Sequence, residues 1–136
     1  SASVCMVPLD GEGNVLMVRQ YRKPIESDLL EVPAGGIEPG EEPEEAVIRE
    51  LQEEIGFTAG NVRLLAGFWV TPGWSTEYMY AFLATDLQPA SLSPDCDENI
   101  SVERVPLLRV HDMIQDGQIK DGKSITALLL ALKLKS

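Results

Sequence analysis

Basic residues are scarce in this sequence. Its 136 residues include 11 Lys and Arg against 22 Asp and Glu, which gives a net charge of −11 at pH 7. Phosphate backbones and anionic membranes are bound through basic surfaces, so no nucleic-acid or membrane partner is expected. Long apolar runs are also missing, because the longest, near residues 127–132, is far shorter than the ~20 residues that cross a bilayer.

Cysteine and histidine are almost absent. Cys5 and Cys96 lie far apart and follow no metal-site spacing. We expect two free thiols in a reducing compartment, and hence a cytoplasmic protein. The single histidine, His111, falls on a predicted surface helix and is expected to be structural. The chain length and a hydrophobic fraction of 44% predict one domain over residues 1–136.

Hydrophobic periodicity and turn residues predict six strands and three helices. The strands are expected at residues 4–9, 15–21, 29–32, 62–70, 77–85 and 100–105, and the helices at 43–55, 108–115 and 123–134. The segment from Pro33 to Pro43 is rich in glycine and proline and is predicted to be a structured loop rather than a strand. This mixed order predicts an α/β (α+β) fold, in which a mixed sheet is sandwiched between helices.

The helix beginning at Pro43 is unusually acidic. On a helical wheel, Glu54 lies roughly 40° to one side of Glu50 and Glu53 roughly 60° to the other, so three carboxylates share one face, with Arg49 at its edge. Like charges at this spacing repel one another, and a divalent cation with oxygen ligands, such as Mg²⁺, would offset that cost. A solvated acidic surface is the alternative, but it leaves the glycine-rich loop and Arg49 unexplained.

The same segment matches a known motif. Gly35, five residues, Glu41, seven residues, then Arg49-Glu50-Leu51-Gln52-Glu53-Glu54-Ile55-Gly56-Phe57 resembles a complete Nudix box. The resemblance implies the Nudix fold and hydrolysis of a diphosphate bond, in which a metal-activated water attacks phosphorus. It also implies a Mg²⁺ cofactor, with Mn²⁺ as an alternative.

Site roles follow from the resemblance, position by position. Glu50 and Glu54 would be the main metal ligands, Glu53 would share a metal or a bound water, and the Ala34 carbonyl would complete the sphere. Arg49 would fix the carboxylate orientations. The catalytic set is therefore expected to include Glu53 and Arg49.

Three further box positions would shape the backbone. Gly35 and Gly56 would permit turns that a Cβ obstructs. Glu41 would tie the loop to the helix.

The flanking segments are similar to the ADP-ribose pyrophosphatase branch of that family. They are Gln20-Tyr21-Arg22, Leu30-Glu31-Val32-Pro33-Ala34-Gly35, Thr71-Pro72-Gly73-Trp74-Ser75-Thr76-Glu77 and the segment 118–127. The resemblance implies that Arg22, Glu31, Pro72, Trp74 and Glu77 bind substrate, with Arg22 at the phosphates and Glu77 at the terminal ribose. Each feature also has a plainer reading: Pro72-Gly73 as a hairpin turn, and Trp74 as a cover over a core edge.

The acidic loop Asp95-Cys96-Asp97-Glu98 aligns with a loop that carries a catalytic glutamate in that branch. Glu98 is the first choice for this role, as a metal ligand or proton acceptor, and Glu103 is the second. A solvated acidic loop is the alternative. An EF-hand is not expected, since its glycine and downstream glutamate are missing.

The sequence departs from the branch at its start. Branch members carry a small N-terminal sheet domain that helps to form a homodimer and to hold the adenine, whereas this chain opens on the first Nudix strand. A homodimer and the choice of base therefore stay open. ADP-ribose hydrolysis to AMP and ribose 5-phosphate is the leading expectation. The alternatives are another sugar nucleotide, a nucleoside triphosphate, or a non-catalytic nucleotide-binding module.

Overall fold

The computed structural model describes residues 1–90 and 101–135. The strands are β1 (Ala2–Pro8), β2 (Asn14–Arg22), β3 (Ser27–Glu31), β4 (Ala34–Gly36), β5 (Phe57–Trp69), β6 (Tyr78–Pro89) and β7 (Val102–Pro106). The helices are α1 (Pro43–Ile55), α2 (Val110–Gln115) and α3 (Gly122–Lys135), with short 3-10 turns at Lys23–Ile25 and Leu107–Arg109. The expected order of strands and helices is confirmed except for one additional strand, β4.

Two sheets form the framework. One has four strands in the order β4-β1-β6-β5, with β1 and β6 parallel and the other pairs antiparallel. The other is antiparallel, in the order β3-β2-β7. Alternate side chains of β1 enter different cores: Met6 packs with the α1 residues Val47 and Leu51, while Val7 packs with Leu128 of α3. Helices thus cover both faces of the mixed sheet, as expected, but the second sheet was not foreseen.

The glycine-rich segment before α1 differs from its prediction. Ala34–Gly36 forms strand β4 rather than a loop, in register with β1 through Cys5↔Ala34 and Val4↔Gly35. Strand formation here depends on main-chain pairing with β1, which local composition does not reveal.

Helix α1 begins and ends as its sequence predicts. Pro43 stands in the first turn, and Glu42 and Glu45 form a reciprocal capping box, in which the Glu42 N–H donates to Glu45 Oε1 at 2.8 Å. Gly56 ends the helix with a left-handed φ of 73°. Both ends of the acidic helix are therefore fixed, which sets the direction of its carboxylates.

Strands β5 and β6 extend beyond their predicted bounds. Strand β5 starts directly after Gly56, at Phe57, and pairs with β6 as far as Pro89, with a register irregularity between Leu64 and Ala66.

Within the described ranges, no helix is long and apolar enough to cross a membrane.

Candidate active site

Arg49 connects the acidic helix to the loop in front of it. Its Nε donates to Glu41 at 2.8 Å, its Nη2 to the Gly36 carbonyl at 2.8 Å, and its Nη1 to Glu50 at 2.7 Å. Glu53 lies 3.4 Å from the same Nη1. One guanidinium therefore holds β4, the loop and two helix carboxylates in a fixed relation.

This pairing sets the ionisation of Glu41. The hydrogen bond from Arg49 lowers the pKa of Glu41 to about 2, helped by the Glu38 N–H, which donates to the carboxylate at 3.0 Å. The pKa of Arg49 rises, chiefly through its bond to Glu41. Glu41 ties the loop to the helix at neutral pH as a charged pair, which is the role that its box position implied.

The carboxylates of Glu50 and Glu54 lie deeper. Burial raises the pKa of Glu50, although Arg49 opposes the shift, and burial raises the pKa of Glu54 to about 7. The Ala34 N–H donates to Glu54 at 2.9 Å. A Cβ at Gly35 would overlap the Glu50 carboxyl group. Gly35, whose φ is not left-handed, is therefore needed for close approach to Glu50 rather than for a turn.

The chemistry of this group suits a hard divalent cation. Glu50, Glu53 and Glu54 offer carboxylate oxygens from one helix, and Ala34 offers a main-chain carbonyl. In the described part of the chain, however, no three acidic, histidine or cysteine side chains already converge as a metal-binding group. Glu50 is engaged by Arg49, and Glu54 by Ala34. The donor set fits Mg²⁺ in kind, and these residues would hold it after local rearrangement.

A cleft of about 710 Å³ opens beside β4. Ala34, Gly35 and Gly36 form one wall, and Arg22, Glu77 and Lys123 are among the residues around it. The fold thus brings together three of the predicted site residues, Arg22, Ala34 and Glu77, which are distant in sequence.

The wall near Arg22 contains an ion network that the sequence did not indicate. Glu31 is 1% exposed and accepts two bonds from Arg22, at 2.8 and 2.7 Å, and a third from Lys123 at 2.6 Å. Glu31 therefore lies behind the cleft surface, where it supports Arg22. Lys123 was missed because its pattern within segment 118–127 shows only a helix start, and its partner lies 92 residues away.

The segment between β5 and β6 contributes unevenly. Thr71 and Glu77 line the cleft, and Glu77 accepts a hydrogen bond of 2.8 Å from Ser3, a second residue that the sequence did not indicate. Pro72 is outside the cleft lining, and Trp74, 86% exposed, is also outside it. Trp74 does not cover a core edge in this structure.

Of the two candidates for the additional catalytic acid, Glu98 and Glu103, the structure describes only Glu103. Glu98, with the rest of the loop Asp95-Cys96-Asp97-Glu98, lies outside the described residues. Glu103 on β7 pairs with Arg19 at 2.6 Å and lines a different cleft of about 440 Å³. The structure does not bring Glu103 to the acidic helix.

Similar proteins identify the family. The NUDIX domain family model matches residues 1–128. The ADP-ribose pyrophosphatase of Bacillus subtilis is 34% identical over 128 residues, covering 93% of this chain and 69% of that protein. A GDP-mannose pyrophosphatase of Yersinia enterocolitica is 35% identical, covering 88% of this chain and 66% of that protein.

A solved structure described as an ADP compounds hydrolase superposes with a TM-score of 0.88 at 32% identity, covering 98% of this chain and 71% of that one. The family match over residues 1–128 includes strand β4, helix α1 and the positions of Glu41 and Arg49. The chain belongs to the Nudix hydrolase family.

Proposed function

We propose that this enzyme hydrolyses ADP-ribose, or a closely related nucleoside diphosphate sugar, to a nucleoside monophosphate and a sugar phosphate. Water adds to one phosphorus, the P–O–P bond breaks, and each product keeps one phosphoryl group. The observation that carries the proposal is the 710 Å³ cleft, in which strand β4, Arg22 and Glu77 come together. The relatives named for ADP-ribose and ADP compounds support it.

Arg22 and Glu77 carry opposite charges and would bind different parts of the substrate. Arg22, which is 45% exposed, would bind the diphosphate. Glu77, which accepts a hydrogen bond from Ser3, would accept hydrogen bonds from sugar hydroxyls. Trp74, which is 86% exposed, would stack on a part of the nucleotide that extends beyond the cleft. Pro72 would act by shaping the turn that carries Trp74.

Carboxylates of helix α1 would form the metal-binding part of the active site. Glu50 and Glu54, with Glu53 and the Ala34 carbonyl, would hold Mg²⁺, with Mn²⁺ as an alternative. A bound divalent cation lowers the pKa of water and neutralises phosphate charge. Arg49 keeps Glu50 in orientation, and Glu98 stays our first choice for the additional acid.

Replacement of one buried carboxylate tests the assignment. Glu50→Gln keeps the side-chain shape and should lower kcat/KM for ADP-ribose with Mg²⁺ by at least about 100-fold. The reason is that it removes a carboxylate ligand of the metal that would neutralise the phosphate charge in the transition state. Glu44→Gln, on the exposed first turn of α1, is the matched control and should stay near wild type. Equal kcat/KM for E50Q and E44Q would show that the catalytic assignment of Glu50 is wrong. A wild-type protein that binds nucleotides without cleaving any of them would make a nucleotide-binding module the better account.

A second substrate class has specific support. The 35% identical relative is named for GDP-mannose. A panel of ADP-ribose, ADP-glucose, GDP-mannose, UDP-glucose and nucleoside triphosphates separates the readings by kcat/KM. A preference for GDP-mannose would keep the hydrolase and reject the ADP-ribose proposal.

The proposal also includes a homodimer and action in the cytoplasm. Free Cys5, buried in the core, is compatible with a reducing compartment. Burial raises the pKa of Cys5 to about 12, so the thiol is unreactive. Sedimentation of the purified protein and fractionation of cells that express it test these two points.

A further inference from the structure

Four charged side chains form an ion network at one wall of the cleft: Arg22, Glu31, Asp121 and Lys123. Arg22 and Lys123, which both line the cleft, donate hydrogen bonds to Glu31 behind it. Glu31 is 1% exposed and the Lys123 side chain is 14% exposed. A buried carboxylate with one partner removed is costly, so each cation matters to the state of the other.

Helix α3 holds Lys123 in place. Asp121 accepts bonds from Lys123 Nζ at 2.9 Å and from Ser124 Oγ at 2.6 Å. Ser124 Oγ in turn accepts a bond of 2.9 Å from the buried Val32 N–H, next to Glu31. The start of α3 is therefore joined at two points to the chain that leads into β4.

The charges of the network cancel. Arg22 and Lys123 are positive, Glu31 and Asp121 are negative, and the sum is zero. Burial raises the pKa of Glu31, but Arg22 and Lys123 outweigh it and the net shift is downward. Burial lowers the pKa of Lys123, but Glu31 and Asp121 outweigh it and the net shift is upward. Glu31 and Lys123 are therefore both charged at neutral pH.

The geometry points to Lys123 as a positioning residue for substrate binding: by holding Glu31, it fixes the guanidinium of Arg22 at the cleft wall. This inference rests on the proposed function, in which Arg22 meets the diphosphate. The bidentate bond to Glu31 takes two of the five N–H groups of Arg22.

Lys123→Met tests the inference, with Lys120→Met as the matched control. Lys120 is three residues earlier and exposed, beside the other cleft. We expect K123M to raise KM for ADP-ribose about tenfold, with kcat changed much less, because ground-state binding of the diphosphate is weakened. Lys123→Arg, which restores a cation, should recover most of the loss. K120M should leave KM unchanged.

A double variant separates indirect from direct action. If Lys123 acts through Arg22, then R22M/K123M has the same KM as R22M alone, since the group being positioned is gone. Effects that multiply would show that Lys123 binds substrate independently and would overturn the inference. A KM for K123M equal to that of K120M would overturn it as well.

Folding and the proposed function are controlled separately. Thermal unfolding is recorded for every variant, and Lys123→Gln, which keeps a hydrogen-bond donor without the charge, replaces K123M if that protein does not fold. The same tenfold rise is expected of K123Q, and an unchanged KM would overturn the inference. A wild-type protein without activity on any sugar nucleotide would reject the proposed function, whereas an active wild type with an unaffected Lys123 variant would reject only the positioning role.

Discussion

The absence of a side chain at Gly35 offers a sharp test of the acidic site. A methyl group there would overlap the carboxyl carbon and both oxygens of Glu50, whereas a methyl group at the neighbouring Gly36 meets nothing within 4 Å. Neither glycine has a left-handed φ, so alanine causes no backbone strain at either position. Gly35→Ala and Gly36→Ala therefore differ only in what the new methyl group displaces.

The size of the effect of Gly35→Ala depends on how the Glu50 side chain moves away from the new methyl group. The displaced atoms are the end of a flexible side chain, so Glu50 can rotate, but its 2.7 Å bond to Arg49 is then lost. Loss of one charge-assisted hydrogen bond costs about 1–3 kcal/mol. A shift of ~1 Å in a catalytic group costs on the order of 100-fold in rate. We expect G35A to lose activity far more than stability.

Both quantities are measured on the same preparations. Urea denaturation gives the free energy of unfolding, and product release from ADP-ribose with Mg²⁺ gives kcat/KM. G36A should match wild type in the free energy of unfolding, and its kcat/KM should fall far less than that of G35A. Equal kcat/KM for G35A and G36A would refute the contact between Gly35 and Glu50 and, with it, the placement of Glu50 in the site.

Three further predictions concern single groups. The pKa of Glu41 in the folded protein is about 2 against 4.5 unfolded, so Glu41 stabilises the fold above 4.5 and loses this contribution as pH falls towards about 2; the urea midpoints of wild type and Glu41→Gln should converge over that range. The pKa of Glu54 is about 7 against 4.5, so its ionisation destabilises the metal-free fold as pH rises through that interval. The urea midpoint of EDTA-treated wild type should therefore fall between about pH 5 and about pH 8, and that of Glu54→Gln should fall less, because only Glu50 then keeps a raised pKa. Equal falls in the two proteins would contradict the burial of Glu54. Trp74→Ala should change the free energy of unfolding by no more than about 0.5 kcal/mol, because Trp74 is 86% exposed; a rise in KM would place it on the nucleotide, and a large loss of stability would contradict its exposure.

The acidic site could be predicted from sequence because its parts are close together in the chain. Glu41, Arg49, Glu50 and Glu54 lie within one loop and one helix, and helical geometry alone puts the carboxylates on one face. The capping box and Gly56 mark the two ends of that helix, so the direction of the site is also local information.

The substrate cleft depended on contacts between distant residues. The bonds from Lys123 to Glu31 and from Ser3 to Glu77 join residues 92 and 74 positions apart. Glu31 was expected to bind substrate, but tertiary packing buries it behind Arg22. Glu103 was a candidate acid, and its strand carries it to Arg19 and another cleft.

The sequence by itself determined the family, the fold class and the acidic helix, since each is written in local periodicity or in one contiguous motif. The tertiary structure decided that Ala34–Gly36 is a strand, because its pairing with β1 is a main-chain property that glycine-rich composition conceals. It also decided which charges are buried together. The pKa values of Glu54 and Glu31 depend on desolvation and on partners brought in by folding, and neither is encoded in the neighbouring residues.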